Sequence, residues 1–144
     1  MQYKNPESVL VVIYAKSSGN VLMLQRKDDP DFWQSVTGSL AIGETPRQTA
    51  IREVFEETGL KTTTLFDCNT QVKFEIFPHF RYKYAPNVTH CLEHWFLLPV
   101  EGESAVNLTE HLKYQWLPPR NAAALTKSPN NASAIRQFIL KEEI

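Results

Sequence analysis

The chain has 144 residues, 42% of them hydrophobic and 22% charged, and a formal net charge of −1. That length supports one domain with its own core. The near-neutral balance argues against a nucleic-acid or anionic-membrane partner, both of which call for a basic surface. An anionic substrate must then find its positive charge locally, in a few Lys or Arg side chains or a bound cation.

Val9–Ala15 is a continuous apolar run, as expected of a strand buried on both faces. It is too short to span a membrane and carries no small-residue cleavage pattern. Cys68 and Cys91 have neither framework nor zinc spacing, so reduced thiols in a cytoplasmic protein are expected. Ser17–Asn20 is turn chemistry, and Val21–Arg26 returns as a second strand of a hairpin. Asp28–Asp31 reads as a loop, and Trp33–Thr37 as a short strand ending at Gly38.

The clearest helix follows. Thr45 is a good N-cap, Pro46 suits the first helical position, Gln48 completes a capping box, and Gly59 is a stop. Ile51, Val54, Phe55 and Thr58 form a largely apolar stripe, expected to face the core. Thr62–Asp67, Gln71–Phe77, Thr89–Val100 and Lys113–Leu117 are rich in β-branched and aromatic residues and read as strands. Pro118–Leu125 and Asn131–Lys141 read as helices, the latter with Ile135, Phe138 and Ile139 on one face. No repeat or linker divides the chain, so residues 1–144 are expected to form one α/β (α+β) domain with a mixed sheet packed between helices.

On the helix over residues 45–58, Glu53, Glu56 and Glu57 stand at i, i+3 and i+4 and project from one side. Like charges at this spacing destabilise a helix by a few tenths of a kcal/mol per pair. A hard divalent cation such as Mg²⁺ reverses that sign. Alone, the three acids read as an ordinary solvated helix face.

Their context is more specific. Gly38 is followed after five residues by Glu44, and after seven more by Arg52-Glu53-Val54-Phe55-Glu56-Glu57-Thr58-Gly59-Leu60. This segment resembles the signature of the Nudix hydrolases. Its seven fixed positions coincide by chance less than about once in 10⁸ starting points. The resemblance implies an α/β/α sandwich with a central mixed sheet. It also implies attack of water on a phosphoanhydride, with Mg²⁺ as cofactor and Mn²⁺ as a substitute. It assigns Glu53 and Glu57 as metal ligands, Glu56 as ligand or base, and Arg52 with Glu44 as the pair that fixes the loop and orients a catalytic glutamate.

Further segments, namely Asp28–Gly38, Phe74–Phe77, Tyr84-Ala85-Pro86, Thr109–Leu112 and Ala124–Ser128, are similar to a bacterial branch of this family. That branch converts 7,8-dihydroneopterin triphosphate to the monophosphate and pyrophosphate, an early step of folate synthesis. By position, this similarity implies Glu110 as a further metal ligand. It implies Lys4, Arg26, Thr37, Phe74, Glu75, Ile76, Phe77 and Ser128 as substrate contacts. Each has a plainer reading: surface charge for Lys4 and Arg26, turn or cap chemistry for Thr37 and Ser128, core strand for Phe74–Phe77. Trp33 is a candidate to stack on a fused ring or, equally, a structural tryptophan. His79, His90, His94 and His111 show no metal-ligand spacing, and His111 is at most a neighbour of Glu110. The expected partner is a small-molecule triphosphate, with no nucleic acid and no membrane; the oligomeric state stays open. The alternatives are a general (deoxy)nucleoside triphosphate pyrophosphohydrolase, acting for example on dATP, and a Nudix-fold ligand-binding module without catalysis.

Overall fold

β1 (Glu7–Ala15) is the axis of the fold. The computed structural model describes residues 2–62 and 64–142. Along β1, Val9, Val11 and Ile13 face one core, and Leu10 and Val12 face a second on the opposite side of the sheet. Its period-2 alternation thus feeds two apolar layers at once, which is why the run is uniformly hydrophobic.

Among the described residues seven strands form one mixed sheet. β1 pairs in parallel with β6 (His90–Val100), and β5 (Phe66–Glu75) runs antiparallel beyond it. On its other side β1 leaves the Ser17–Asn20 turn paired with β2 (Val21–Arg26) at Tyr14 and Val21. β2 continues beside β7 (His111–Leu117). Further along, a short segment pairs with both partners of the hairpin: β3 (Trp33–Gln34) along β2 and β4 (Val36–Ser39) along β1. The single expected strand over Trp33–Thr37 is therefore two, broken at Ser35. Asn131 holds the break: its side-chain Oδ1 accepts from Ser35 N at 2.7 Å and its Nδ2 donates to Ser35 Oγ at 2.9 Å.

α1 (Pro46–Thr58) covers one face of the sheet, while α2 (Pro119–Leu125) and α3 (Pro129–Ala134) cover the other, α3 continuing into a π segment over Ile135–Ile139. This is the α/β/α sandwich. The capping box of α1 is present as read, and Gly59 terminates it at φ 76°. Only half of the expected apolar stripe, Val54 and Thr58, lies on the buried face. Ile51 and Phe55 are 40% and 51% exposed, while Ala50, Val54, Glu57 and Thr58 point inward. The helix is rolled so that its glutamates turn toward β4, where Gly38 leaves space for them.

The strands expected at Thr62–Asp67 and Gln71–Phe77 are largely one. Thr63 lies outside the described residues; β5 starts at Phe66 and carries a bulge between Asp67 and Gln71, with Asn69 at φ 52°. The Asp67 carboxylate accepts from Asn69 N at 2.8 Å, a local bond that stabilises the bulge. Beyond Glu75 the chain leaves the sheet, and Pro78–Lys83 form a 3₁₀ turn that the sequence reading did not include. Cys68 and Cys91 are free. No helix among the described residues is long and apolar enough to cross a membrane.

Replacing Asn131 by Ala leaves the buried Ser35 N–H without its acceptor, so urea denaturation is expected to show a loss of about 2 kcal/mol.

Candidate active site

The site is built where α1 passes β4. Arg52 is its organiser. Its Nε and Nη2 donate to the two oxygens of Glu44 at 2.7 and 2.8 Å, its Nη1 to Glu53 Oε1 at 2.6 Å and Glu56 Oε2 at 3.1 Å, and its Nη2 also to Ser39 O at 3.2 Å. One guanidinium thus bonds three carboxylates, offsetting only part of their charge, and ties the loop to the strand. Glu44 also accepts from Ala41 N and Thr49 Oγ1. The Arg52 guanidinium, ahead of those smaller donors, holds the Glu44 carboxyl down at about 2. The same partners hold Arg52 firmly protonated.

Gly38 lets the Glu53 side chain lie directly against the strand. A Cβ at this position would collide with the Glu53 carboxyl group.

Glu57 is different from its neighbours. It is 4% exposed, and its Oε1 is buried without a hydrogen-bond partner. Burial first, and the nearby Glu53 and Glu110 after it, push its carboxyl well above the usual range. His111 Nε2 lies 3.7 Å from that oxygen. Burial holds the His111 imidazole down to about 4, so it is neutral at pH 7 and does not act as a counter-ion.

These groups open onto a continuous cleft. Its mouth is lined by Arg52, Glu53, Glu57, Glu110 and His111. Its middle, shared by mouth and interior, holds Lys4, Arg26, Lys83, Gln34, Thr37 and Gly38. Its interior is walled by Phe32, Phe74, Ile76, Phe77, Phe80 and Tyr84, with Ser128 and Glu93. Arg26 is held in a fork by Asp28 at 2.8 and 2.7 Å, and its guanidinium lies 4.2 Å from the Phe80 ring centroid. Lys83 reaches the same Asp28 at 2.6 Å. These two cations, Arg26 most, hold Asp28 well below the usual carboxylate range. Burial, with Lys83 and Arg26 adding to it, lowers Lys4 from its ordinary value. Arg26 and Lys83 on Asp28, with Lys4 lining the same part of the cleft, make a span that attracts a polyanion.

Of the residues named from sequence, the cleft gathers Lys4, Arg26, Thr37, Phe74, Ile76, Phe77, Ser128, Arg52, Glu53, Glu57 and Glu110. It does not gather Glu44, Glu56, Glu75 or Trp33. Glu75 points outward, 65% exposed at its side chain and 3.7 Å from Arg81. Glu56 sits at the outer side of Arg52, 53% exposed. Trp33 packs into the core beside α2 and α3, and its neighbour Phe32 occupies the cleft instead. The strand alternation at that point turns adjacent aromatics to opposite faces. Lys83, Phe80, Gln34 and Glu93 were not foreseen. Lys83 and Phe80 ride on the 3₁₀ turn, whose position nothing in the local pattern announced.

The sequence model of the NUDIX domain family matches residues 4–138. The chain belongs to the Nudix family. It is 60% identical to the dihydroneopterin triphosphate diphosphatase of Haemophilus influenzae over 143 residues, covering 96% of this chain and 90% of that protein. It is 55% identical over 142 residues to the Escherichia coli protein of the same name, covering 96% and 95% respectively. The solved structure of the E. coli dihydroneopterin triphosphate pyrophosphohydrolase matches it with a TM-score of 0.96 at 53% identity, over 99% of this chain and 100% of that one.

Nudix hydrolases generally need a divalent metal ion, and the donor chemistry of the mouth fits one. Glu53, Glu57 and Glu110 offer carboxylate oxygens, the ligands of a hard cation, and the unpartnered buried oxygen of Glu57 lacks the positive neighbour it requires. Among the described residues no three His, Cys, Asp or Glu side chains already converge as a ligand set, since Glu53 gives its Oε1 to Arg52 and Glu110 is exposed.

Unfolded Glu57 ionises near the ordinary 4.5, folded Glu57 only well above it. In that interval the folded state holds a proton the unfolded state has lost, so metal-free stability falls as pH rises. Thermal melts without metal are expected to show Glu57→Gln melting above the unsubstituted protein at about pH 8 and level with it near pH 4. Added divalent metal is expected to raise the melting temperature of the unsubstituted protein more than that of Glu57→Gln.

Proposed function

We propose that this chain is a Mg²⁺-dependent pyrophosphohydrolase that converts 7,8-dihydroneopterin triphosphate to the monophosphate and pyrophosphate, with Mn²⁺ able to replace Mg²⁺. Its partner is this small molecule, not a nucleic acid or a membrane, and it works as a single domain in the cytoplasm. The observation that carries this reading is the order of chemistry along one cleft. An aromatic interior suits a fused ring, a cationic middle suits a triphosphate, and a carboxylate mouth suits the metal at the scissile anhydride. The dihydroneopterin triphosphate diphosphatases of H. influenzae and E. coli, 60% and 55% identical, support the substrate.

In this reading Phe74, Ile76, Phe77 and Ser128 border the ring, while Lys4, Arg26 and Thr37, joined by Lys83, hold the phosphates. Glu53, Glu57 and Glu110 hold the cation, which when bound neutralises phosphate charge and lowers the pKa of water. Arg52 keeps Glu44 and Glu53 in fixed orientation, so the carboxylates do not have to reorganise as charge develops. Glu56 and Glu57 are the two acids available to take the proton of the attacking water. Glu75, which does not line the cleft, has no part in this reading.

With Mg²⁺ present, the products are expected to be monophosphate and pyrophosphate, without orthophosphate. Glu57→Gln is expected to lower kcat roughly 100-fold or more. Arg52→Lys loses the fork on Glu44 and is expected to lower it roughly 10- to 100-fold. A general nucleoside triphosphatase is the competing reading, because purine and pterin are both fused rings. It predicts a higher kcat/KM for dATP than for dihydroneopterin triphosphate, and that result would refute the substrate assignment. The intact glutamate set argues against a binding module, and absence of turnover with Mg²⁺ would revive it.

A further inference from the structure

One ionisable side chain in the cleft has no part in the reaction as described. Glu93 lies on β6, faces the aromatic interior, and is 5% exposed. Both donors that reach it go to the same oxygen: Trp95 Nε1 donates to Oε1 at 3.0 Å and Asn130 Nδ2 to Oε1 at 3.3 Å. No protein donor among the described residues reaches Oε2. With both donors on Oε1, Oε2 is the oxygen left to meet a ligand in the chamber. Trp95 and Asn130 fix the orientation of the group, and the chamber bounded by Phe74, Phe77, Phe80 and Tyr84 is the space it faces. Burial pushes Glu93 up to about 6, which still leaves it mostly ionised, and so purely an acceptor, at neutral pH.

We propose that Glu93 reads the ring, with Oε2 accepting an N–H from the amino-pyrimidinone edge of a 2-amino-4-oxo fused heterocycle. This rests on the pterin triphosphate reading above and adds the residue that makes the choice. That edge carries an exocyclic amine beside a ring N–H, two adjacent donors that can face one carboxylate, with the 4-oxo acceptor on the far side of the ring N–H. Adenine presents an amine beside an unprotonated ring nitrogen, whose lone pair opposes a carboxylate. Aromatic walls contact any flat ring and supply affinity without much choice. A buried charge rejects the ring that leaves it unpaired, and that is the stronger source of discrimination.

Glu93→Gln is the test. The amide oxygen can take over the bonds from Trp95 and Asn130, while an NH₂ donor replaces Oε2, so shape is kept and polarity at one atom is reversed. The measurement is kcat/KM for dihydroneopterin triphosphate and for methyl triphosphate, which has the phosphates and no ring, in both proteins. The ratio of the two values is expected to fall at least about tenfold in Glu93→Gln, mainly through KM for the pterin substrate. Competition by 6-hydroxymethylpterin gives a second measure that does not depend on turnover of a pterin substrate, and its Ki is expected to rise by a similar factor. A ratio and a Ki both unchanged within about twofold would overturn the proposal and leave Glu93 a structural residue. If the unsubstituted protein itself shows no preference for the pterin substrate over methyl triphosphate, the substrate reading fails, and this inference with it.

Discussion

Arg52 is the charge on which the site depends. Four carboxylates, Glu44, Glu53, Glu56 and Glu57, come from one helix and the loop before it, and a single guanidinium bonds to three of them. Placed together without it, they would repel one another and loosen both the loop and the helix. With it, Glu44 is pinned to the loop backbone at Ala41 and Glu53 is drawn beside Gly38. Glu57 is the acid left over, buried and lacking a positive partner. One guanidinium does not balance four carboxylates, so this side of α1 stays acidic, a donor set that suits a divalent cation.

The fold sets this chemistry at one end of a longer cleft. The wedge formed by β3 and β4 between the diverging β1 and β2 brings Gln34, Thr37 and Gly38 alongside Arg26. Asn131 and Asn130, neighbours on α3, brace the wedge and the interior respectively: one holds Ser35 and the other Glu93. A single short helix thereby ties the backbone beside the cleft's middle to the Glu93 carboxylate in its aromatic interior. The 3₁₀ turn completes the middle by carrying Phe80 and Lys83 onto Arg26 and Asp28.

Much of this was legible in the sequence, for definite reasons. β1 could be read because burial on both faces removes every polar residue from a run. α1 could be read because its caps are local chemistry, independent of what packs against it. Its roll could not. The apolar count favours Ile51 and Phe55 as the inner face, but the space left by Gly38 and the pull of Arg52 turn Glu53 and Glu57 inward. The break at Ser35 and the bulge at Asn69 depend on partners that periodicity does not reveal; for Ser35 the partner is ninety-six residues away. The glutamates, by contrast, are marked by their place in the family pattern with Gly38, Glu44, Arg52 and Gly59, since Glu53, Glu56 and Glu57 alone read as a solvated helix face. The residues around the ring come from β3, β5, β6 and the 3₁₀ turn, converge only in three dimensions, and leave no such mark.

A structure with Mg²⁺ and a non-hydrolysable pterin triphosphate analogue tests the central claim most directly. The account predicts one cation at roughly 2.0–2.1 Å from oxygens of Glu53, Glu57 and Glu110, phosphates along Lys4, Arg26 and Lys83, and the ring among Phe74, Phe77 and Glu93. A cation bound without Glu57, or a ring lying outside that chamber, would contradict it.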